Sequence, residues 1–149
     1  MQVAVIEFAR NVLGLKGANS IEFDENTKNP VIHLIENKKE FYKKDGTMRL
    51  GAYDCLLKSD TVVSKLYDVE KISERHRHRY EYNKAYKEML EKEGLICSGI
   101  SPDGTFVEII ELKEHPYFIG SQFHPEYKSR PNAPAPLFVG LIEAAKETI

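Results

Sequence analysis

The stretch at residues 120–127, GSQFHPEY, places a histidine and a glutamate two positions apart. On an extended backbone, residues i and i+2 point to the same side, so Glu126 could hold one ring nitrogen of His124. The other ring nitrogen would then be available as a general base. Pro125 between them fixes a backbone dihedral angle and stiffens the pair. The same residues equally allow a surface junction between strand and loop that carries two unrelated polar side chains.

A base of this kind serves a nucleophile, and the sequence offers two thiols, Cys55 and Cys97. A nucleophilic cysteine is expected on a sharp strand-to-helix turn, where the helix N-terminus lowers its pKa. Cys55 lies inside AYDCLLK without such a turn, and no helix pattern follows Cys97. Both are therefore predicted to be small buried hydrophobes. Two cysteines make no disulfide framework, which indicates a reducing, cytoplasmic environment.

A second set of polar residues is the run RHRHRYE. In a strand, Arg75, Arg77 and Arg79 would share one face, and His76 and His78 the other. Nucleic-acid binding, a metal site at the two histidines and an anion site at one arginine are all chemically possible. No metal-ligand spacing marks the run. From the residues alone, a solvated edge strand kept soluble by its charge is favoured.

The bulk composition excludes several classes of protein. A length of 149 residues fits one domain, and a net charge of −2 gives no electrostatic case for nucleic acid or an anionic membrane as a partner. No run of about 18 apolar residues predicts a transmembrane helix. The first residues, MQVAVIEFARNV, lack the basic region and the cleavage site of a signal peptide. The sequence therefore predicts a globular domain without nucleic-acid or membrane partners.

The mix of helices and strands along the chain predicts an α/β fold. The patterns predict helices at residues 1–13, from 60 onward, at 84–94 and at 137–148, and strands at 31–35, 48–58, 72–83, two within 95–112, and 117–123. The last of these strands, YFIGSQF, is apolar at odd and even positions alike, as expected for a strand buried on both faces. It would place His124 at the carboxyl end of a buried strand, where open α/β sheets bind ligands. The first helix is apolar nearly all round and has no strand before it, so the beginning of the domain is expected to be missing.

Five segments in order along the chain resemble one family: AVIEFARNVLGLKGANSIEFD, GTMRLGAYDC, ISERHRHRYEYN, SGISPDG and FHPEYKSRPNAPAPLFVGLIEAA. Together they closely resemble the C-terminal glutamine amidotransferase domain of CTP synthase. RHRHRYE and GTMRLGAY are specific to that family, whereas FHPE is shared with other triad amidotransferases. The resemblance implies the C-terminal part of a doubly wound, open-sheet, flavodoxin-like α/β domain. Residues 1–149 would be a partial domain that lacks the nucleophile elbow and the whole N-terminal synthetase domain.

The resemblance also implies roles at a catalytic site. Met1 and Gln2 match the end of the family motif G-x-C-L-G-M-Q, so the nucleophilic cysteine would precede residue 1. His124 and Glu126 would be the base and the orienting carboxylate of a Cys-His-Glu triad. Gln2 would lie beside the nucleophile and contact the substrate.

Further residues take their roles from the same resemblance. Glu22, in GANSIEFD, is similar to the glutamate that holds the α-amino group of glutamine, and Arg79 to the arginine that binds its α-carboxylate. This favours the anion-site interpretation of RHRHRYE. Thr47 and Arg49 fall in a lid-like loop that the family links to GTP activation. Asp45 departs from the usual glycine there, and its Cβ and charge could stiffen or misplace the loop.

The resemblance implies a function for the parent enzyme. It would hydrolyse L-glutamine and pass ammonia to its N-terminal synthetase domain, where UTP is aminated to CTP in pyrimidine nucleotide biosynthesis. ATP and Mg²⁺ would act in that domain, and GTP would be an allosteric activator. No cofactor and no metal is assigned to this chain itself. The parent is expected to be a cytoplasmic homo-oligomer, a tetramer.

The isolated chain is expected to be inactive, because a base and its orienting carboxylate without the cysteine leave no covalent route. Two other hypotheses stay open. One is a non-catalytic module that binds glutamine through Glu22 and Arg79. The other is a half-enzyme completed in trans by a separate chain that carries the elbow. A different triad amidotransferase or a γ-glutamyl hydrolase is disfavoured, because RHRHRYE fits neither.

Overall fold

The computed structural model describes residues 1–34 and 48–147. Its helices are α1 (Gln2–Asn11), α2 (Val62–Tyr67), α3 (Lys87–Lys92) and α4 (Pro136–Glu147). Its strands are β1 (Asn19–Ser20), β2 (Pro30–His33), β3 (Arg49–Leu57), β4 (Lys71–His78), β5 (Glu81–Tyr82), β6 (Leu95–Ile100), β7 (Val107–Leu112) and β8 (Ile119–Ser121). Short 3₁₀ turns span Lys84–Tyr86 and Pro125–Tyr127. Within the described ranges, no helix has the length and apolar character needed to cross a membrane.

The strands form two sheets. The larger sheet has five strands in the order β4-β3-β6-β7-β8, and each neighbouring pair is antiparallel. The smaller sheet has three strands in the order β1-β2-β5, in which β1 runs parallel to β2 and β5 runs antiparallel to it. This combination of sheets and helices confirms the predicted α/β class.

The larger sheet has an apolar core on each of its faces. Ile109 and Ile110 are adjacent in β7, and both are fully buried, but they belong to different hydrophobic clusters. The cluster around Ile110 includes Val5 of α1, and the cluster around Ile109 includes Val63 of α2 and Leu137 of α4. Successive residues of a strand point to opposite faces, so helices cover the sheet on both sides.

Several predicted elements are confirmed, with small shifts at their ends. β3 confirms the strand predicted at 48–58, and the hairpin of β6 and β7 confirms the pair predicted within 95–112. α2 begins two residues later than predicted, because Thr61 is its N-cap. The Thr61 hydroxyl accepts a hydrogen bond from the backbone N–H of Ser64 at 3.1 Å, and the Ser64 hydroxyl accepts one from the backbone N–H of Thr61 at 3.1 Å.

The single strand predicted at 72–83 is wrong. Its alternating pattern is confirmed within β4, where His76 is buried while Arg75 and Arg77 are exposed. The extended segment then divides: β4 pairs with β3 in the larger sheet, and β5 pairs with β2 in the smaller one. Arg79 and Tyr80 lie in the crossing between the two sheets. The alternation of residue types continues through the crossing, so the pattern alone did not reveal it.

The strand predicted at 117–123, buried on both faces, is also wrong. Only β8, three residues long, is a strand; it pairs with β7 alone at the edge of the described sheet and is half-buried. The apolar residues at odd and even positions of YFIGSQF do not face two sides of one strand. Phe118 precedes β8 and is 38% exposed, whereas Phe123 follows β8 and is buried. Gly120 within β8 lies against the start of α1, where a Cβ would come within 3.1 Å of the Met1 Cα.

Candidate active site

His124 and Glu126 lie just beyond the end of β8 and are in contact. The His124 Nδ1 and the Glu126 Oε1 are 2.7 Å apart, and the His124 ring stacks on Tyr127 with 5.1 Å between centroids. The backbone N–H of His124 donates to the Arg75 carbonyl of β4 at 2.8 Å. The predicted contact is present, but a 3₁₀ turn that begins at Pro125, rather than an extended backbone, brings the carboxylate to the ring. With Nδ1 engaged, Nε2 is the nitrogen available for proton transfer.

Gln2 joins the start of α1 to the same region. Its side-chain amide donates to the Tyr80 carbonyl at 2.9 Å and to the Gln122 Oε1 at 3.2 Å. Gln122 follows β8, and its own amide donates to the Tyr80 carbonyl at 3.1 Å and to the Glu81 Oε2 at 3.3 Å. The first residues of α1, the crossing between β4 and β5, and the segment that leads to His124 therefore meet at one place.

The smaller sheet brings Glu22 and Arg79 to the same end. Ser20 of β1 is aligned with Ile32 of β2, which is aligned with Tyr82 of β5. Because β5 runs against the other two strands, the residues that precede it lie at the end where β1 continues into Glu22. Both side chains are exposed. The fold therefore places the acidic and the basic predicted substrate-binding residues at the same end of the smaller sheet.

Arg49 is not part of a lid-like loop, and that prediction is wrong for this residue. Arg49 begins β3 and is 1% exposed. Its guanidinium makes a bidentate contact with Glu108 at 2.7 and 3.1 Å and a longer one with Glu81 at 3.5 Å. It also lies over the rings of Tyr53 and Phe106, at 4.5 and 4.3 Å from their centroids. Thr47 and Asp45 lie outside the described residues.

Sequence reasoning missed the two carboxylates that hold Arg49. Glu108 is fully buried in β7 and Glu81 is 1% exposed in β5. A signal existed at Glu108, because the strand FVEIIEL places a glutamate among apolar residues, and a buried carboxylate needs a cationic or hydrogen-bonding partner. Burial raises the pKa of Glu81 to about 8, although the nearby Arg49 favours the ionised form.

His76 is buried beside this ion pair, and His78 next to it is partly buried. Burial lowers the pKa of His76 to about 2 and that of His78 to about 3, and the positive charge of Arg49 adds to both shifts. Both rings are therefore neutral at physiological pH. The His76 Nδ1 and the His78 Nε2 are 2.9 Å apart, and the His78 Nδ1 is 3.1 Å from the Tyr80 carbonyl oxygen.

His76, His78 and Glu108 are the group of described residues that could hold a metal ion, since their ligand atoms lie within 4.8 Å of one another. The guanidinium of Arg49 already contacts both oxygens of Glu108 and supplies the positive charge that a metal would bring. These side chains therefore fit a buried polar network better than a metal centre.

The two cysteines are buried, as predicted. Burial raises the pKa of the Cys55 thiol to about 12 and that of Cys97 to about 11. Each belongs to one of the two hydrophobic clusters, on opposite faces of the larger sheet. Neither thiol has the exposure or the lowered pKa of a nucleophile.

Comparison with known proteins gives consistent matches. The family model described as glutamine amidotransferase class-I matches residues 1–144. A protein named CTP synthase from Christiangramia forsetii is 60% identical over 147 residues, which is 99% of this chain and 27% of that protein. A CTP synthase from Fibrobacter succinogenes is 62% identical over 149 residues, covering 99% of this chain and 26% of the relative. The chain thus spans about a quarter of the length of these relatives.

A solved structure shares the fold. The glutaminase domain of CTPS from Trypanosoma brucei, with bound acivicin, superposes with a TM-score of 0.90 at 39% identity. The match covers 99% of this chain and 57% of that one, and it confirms the predicted amidotransferase type of α/β domain. Since the family match extends over residues 1–144 and the solved glutaminase domain has the same fold, the chain belongs to the class-I glutamine amidotransferase family.

Proposed function

We propose that this chain is part of the glutamine-hydrolysing domain of a CTP synthase. In that enzyme, ammonia from L-glutamine would be used for the ATP-dependent amination of UTP to CTP. The observation that carries the proposal is the 2.7 Å contact between His124 and Glu126, located where Gln2 and the β4–β5 crossing meet. The similarity to proteins named CTP synthase and to a glutaminase domain supports it.

The proposed chemistry uses these residues in sequence. A cysteine thiolate attacks the side-chain amide carbon of glutamine, and the resulting intermediate expels ammonia after His124 donates a proton to the nitrogen. Water then hydrolyses the γ-glutamyl thioester, and His124 takes the proton that the water loses. Glu126 accepts a hydrogen bond from the Nδ1 of His124, which holds the ring with Nε2 toward the reacting atoms.

The substrate would be held by complementary charges. Glu22 would bind the α-ammonium group of glutamine and Arg79 its α-carboxylate, since each offers the opposite charge. Gln2 would contact the substrate from the start of α1. A synthetase domain outside these 149 residues would bind ATP, Mg²⁺ and UTP, and GTP would activate the parent enzyme, a cytoplasmic homo-oligomer of four subunits.

The 149-residue polypeptide by itself is expected to release no glutamate from glutamine above the uncatalysed background. The physical reason is that Cys55 and Cys97 are buried thiols with raised pKa values, so the nucleophile must come from outside this sequence. A coupled assay of glutamate release by the purified polypeptide tests this. Steady turnover that disappears in His124→Ala would contradict it, and turnover that appears on adding a second, cysteine-bearing chain would support a half-enzyme completed in trans.

A second candidate function is glutamine binding without chemistry, favoured by the placement of Glu22 and Arg79 at one end of the smaller sheet. Arg79→Ala is expected to raise the Kd for L-glutamine at least about tenfold, because a charge-assisted hydrogen bond to the carboxylate is lost. Isothermal titration calorimetry measures this.

Arg77→Ala is the matched control, since Arg77 is an exposed arginine on the same run and its replacement should change the Kd less than about twofold. Equal Kd values for the Arg79→Ala variant and the unmodified protein would remove Arg79 from the proposed site. Binding without turnover in a protein that also contains a cysteine nucleophile would favour the binding module over the enzyme.

A further inference from the structure

The carbonyl of Tyr80 collects three hydrogen bonds from three different elements. The His78 Nδ1, at the end of β4, is 3.1 Å from it. The side-chain amides of Gln2, at the start of α1, and Gln122, after β8, donate to it at 2.9 and 3.1 Å. The carbonyl belongs to the residue that follows Arg79, so its position constrains where the backbone of Arg79 can lie.

The hydrogen bonds define which ring nitrogens carry protons. A carbonyl oxygen can only accept, so the His78 Nδ1 that faces Tyr80 must carry the hydrogen. A neutral His78 then has a lone pair on Nε2, and the His76 Nδ1, 2.9 Å away, must donate to it. The nearby glutamates support a hydrogen on each Nδ1. The Glu108 Oε2 lies 3.8 Å from the His76 Nδ1, and the Glu81 Oε1 lies 3.4 Å from the His78 Nδ1.

This assignment leaves the Nε2 of His76 as an unprotonated nitrogen. That atom is buried and has no hydrogen-bond partner among the described residues. The opposite direction of donation would require a hydrogen on the His78 Nε2. His78 would then lose its bond to Tyr80 or carry a second proton, and a buried cation beside Arg49 would be costly.

Arg79 lies where the chain leaves the larger sheet for the smaller one. The pairing of β4 with β3 ends at His78, which is aligned with Arg49, and the next pairing begins at Glu81 in the other sheet. In the described part of the chain, the pairings of the two sheets do not include Arg79 and Tyr80. The contacts to the Tyr80 carbonyl restrain this crossing at the residue next to Arg79.

We propose that His78, held by His76 in the tautomer with hydrogen on Nδ1, is a positioning residue for the substrate site. It anchors the Tyr80 carbonyl and thereby places Arg79 and Gln2. The inference rests on the proposed function, because those two residues matter in this way only if glutamine binds there. His78 itself touches no substrate, and it acts through the backbone of the crossing.

Two replacements of His78 separate its two nitrogens. In His78→Asn the side-chain amide occupies the place of Nδ1 and can still donate to Tyr80. In His78→Gln the amide reaches the place of Nε2, so the contact with His76 is kept and the bond to Tyr80 is lost. His78→Gln is expected to raise the glutamine KM of the complete gene product about tenfold, while His78→Asn should stay within about threefold of the unmodified protein. The rate with ammonia as the nitrogen donor should be unchanged in both variants. Equal glutamine KM values for the two variants would overturn the proposal.

A measurement on the unmodified protein does not depend on the variants being folded. Nitrogen-15 NMR of the imidazole rings should show a protonated Nδ1 and an unprotonated Nε2 for both His76 and His78. A protonated Nε2 on His78 would overturn the proposal. An unprotonated Nδ1 on His76 would also overturn it, and that is the result expected if His76, His78 and Glu108 held a metal ion.

The same set of proteins distinguishes failure of the inference from failure of the proposed function. If Arg79→Ala leaves the glutamine KM unchanged, the proposed substrate site is wrong, and the positioning role falls with it. If Arg79→Ala raises the KM and His78→Gln does not, the substrate site stands and the positioning role alone is wrong. If the glutamine KM rises in Arg79→Ala and in His78→Gln but stays near the unmodified value in His78→Asn, the substrate site and the positioning role are both supported.

Discussion

His124→Ala is expected to lower the rate of glutamine hydrolysis by about 10³-fold in a form of the protein that carries the cysteine nucleophile. The reason is that the departing nitrogen then leaves without a proton donor and the attacking water lacks a base. In the CTP synthase proposed above, formation of CTP should be measured with glutamine and, separately, with ammonia. Only the glutamine-dependent rate should fall, because ammonia added to solution does not require this site.

His115→Ala is the matched control for that variant, since His115 is an exposed histidine in the turn between β7 and β8, outside the candidate site. It should leave both rates unchanged. Glu126→Gln should have a smaller effect, about tenfold, because a neutral amide oxygen still accepts from the His124 Nδ1 but stabilises its protonated ring less well. A glutamine-dependent rate that survives His124→Ala would show that His124 is not the base.

The second large effect is expected from the buried ion pair. Arg49→Met should lower the free energy of unfolding by about 3–5 kcal/mol, because it leaves the Glu108 carboxylate buried and unpaired. The loss includes the contacts of the guanidinium with the rings of Tyr53 and Phe106. Urea unfolding followed by circular dichroism measures the change. The double variant Arg49→Met with Glu108→Leu should recover much of it, since the buried charge is then removed.

The chain offers a matched ion pair at its surface. Lys71 and Asp54 are 3.2 Å apart, with side chains that are 58% and 44% exposed. Lys71→Met should therefore change the free energy of unfolding by less than about 1 kcal/mol, because water screens an exposed pair. Similar decreases in the free energy of unfolding for Lys71→Met and Arg49→Met would contradict the claim that burial causes the large effect of removing Arg49.

The features that the sequence predicted well depend on near neighbours along the chain. The contact between His124 and Glu126 follows from a spacing of two residues and is present, although a 3₁₀ turn rather than a strand forms it. The alternation of buried and exposed residues in β4 follows from the period of a strand. The burial of Cys55 and Cys97 follows from their apolar neighbours and the lack of a turn.

The predictions that failed depend on partners distant in the sequence. The family resemblance placed Arg49 in a lid-like loop, although the residue pattern placed it in the strand at 48–58. Its burial depends on Glu108, which lies 59 residues away in the sequence. The division of residues 72–83 into two strands depends on β5 pairing with β2. YFIGSQF reads as a doubly buried strand, yet the structure shortens it to β8 at the sheet edge.

The assembly of the candidate site also depends on residues that are distant in the sequence. Gln2 and Gln122 are 120 positions apart, and Gln2 and Tyr80 are 78 apart, yet both pairs are hydrogen-bonded. By itself, the sequence determined which residue types carry chemistry, the local spacing of His124 and Glu126, and the resemblance to an amidotransferase. Only the tertiary structure decided which of these residues meet and which charges are buried. The physical reason is that pairing between distant segments depends on how the sheets and helices pack together, and no local periodicity records it.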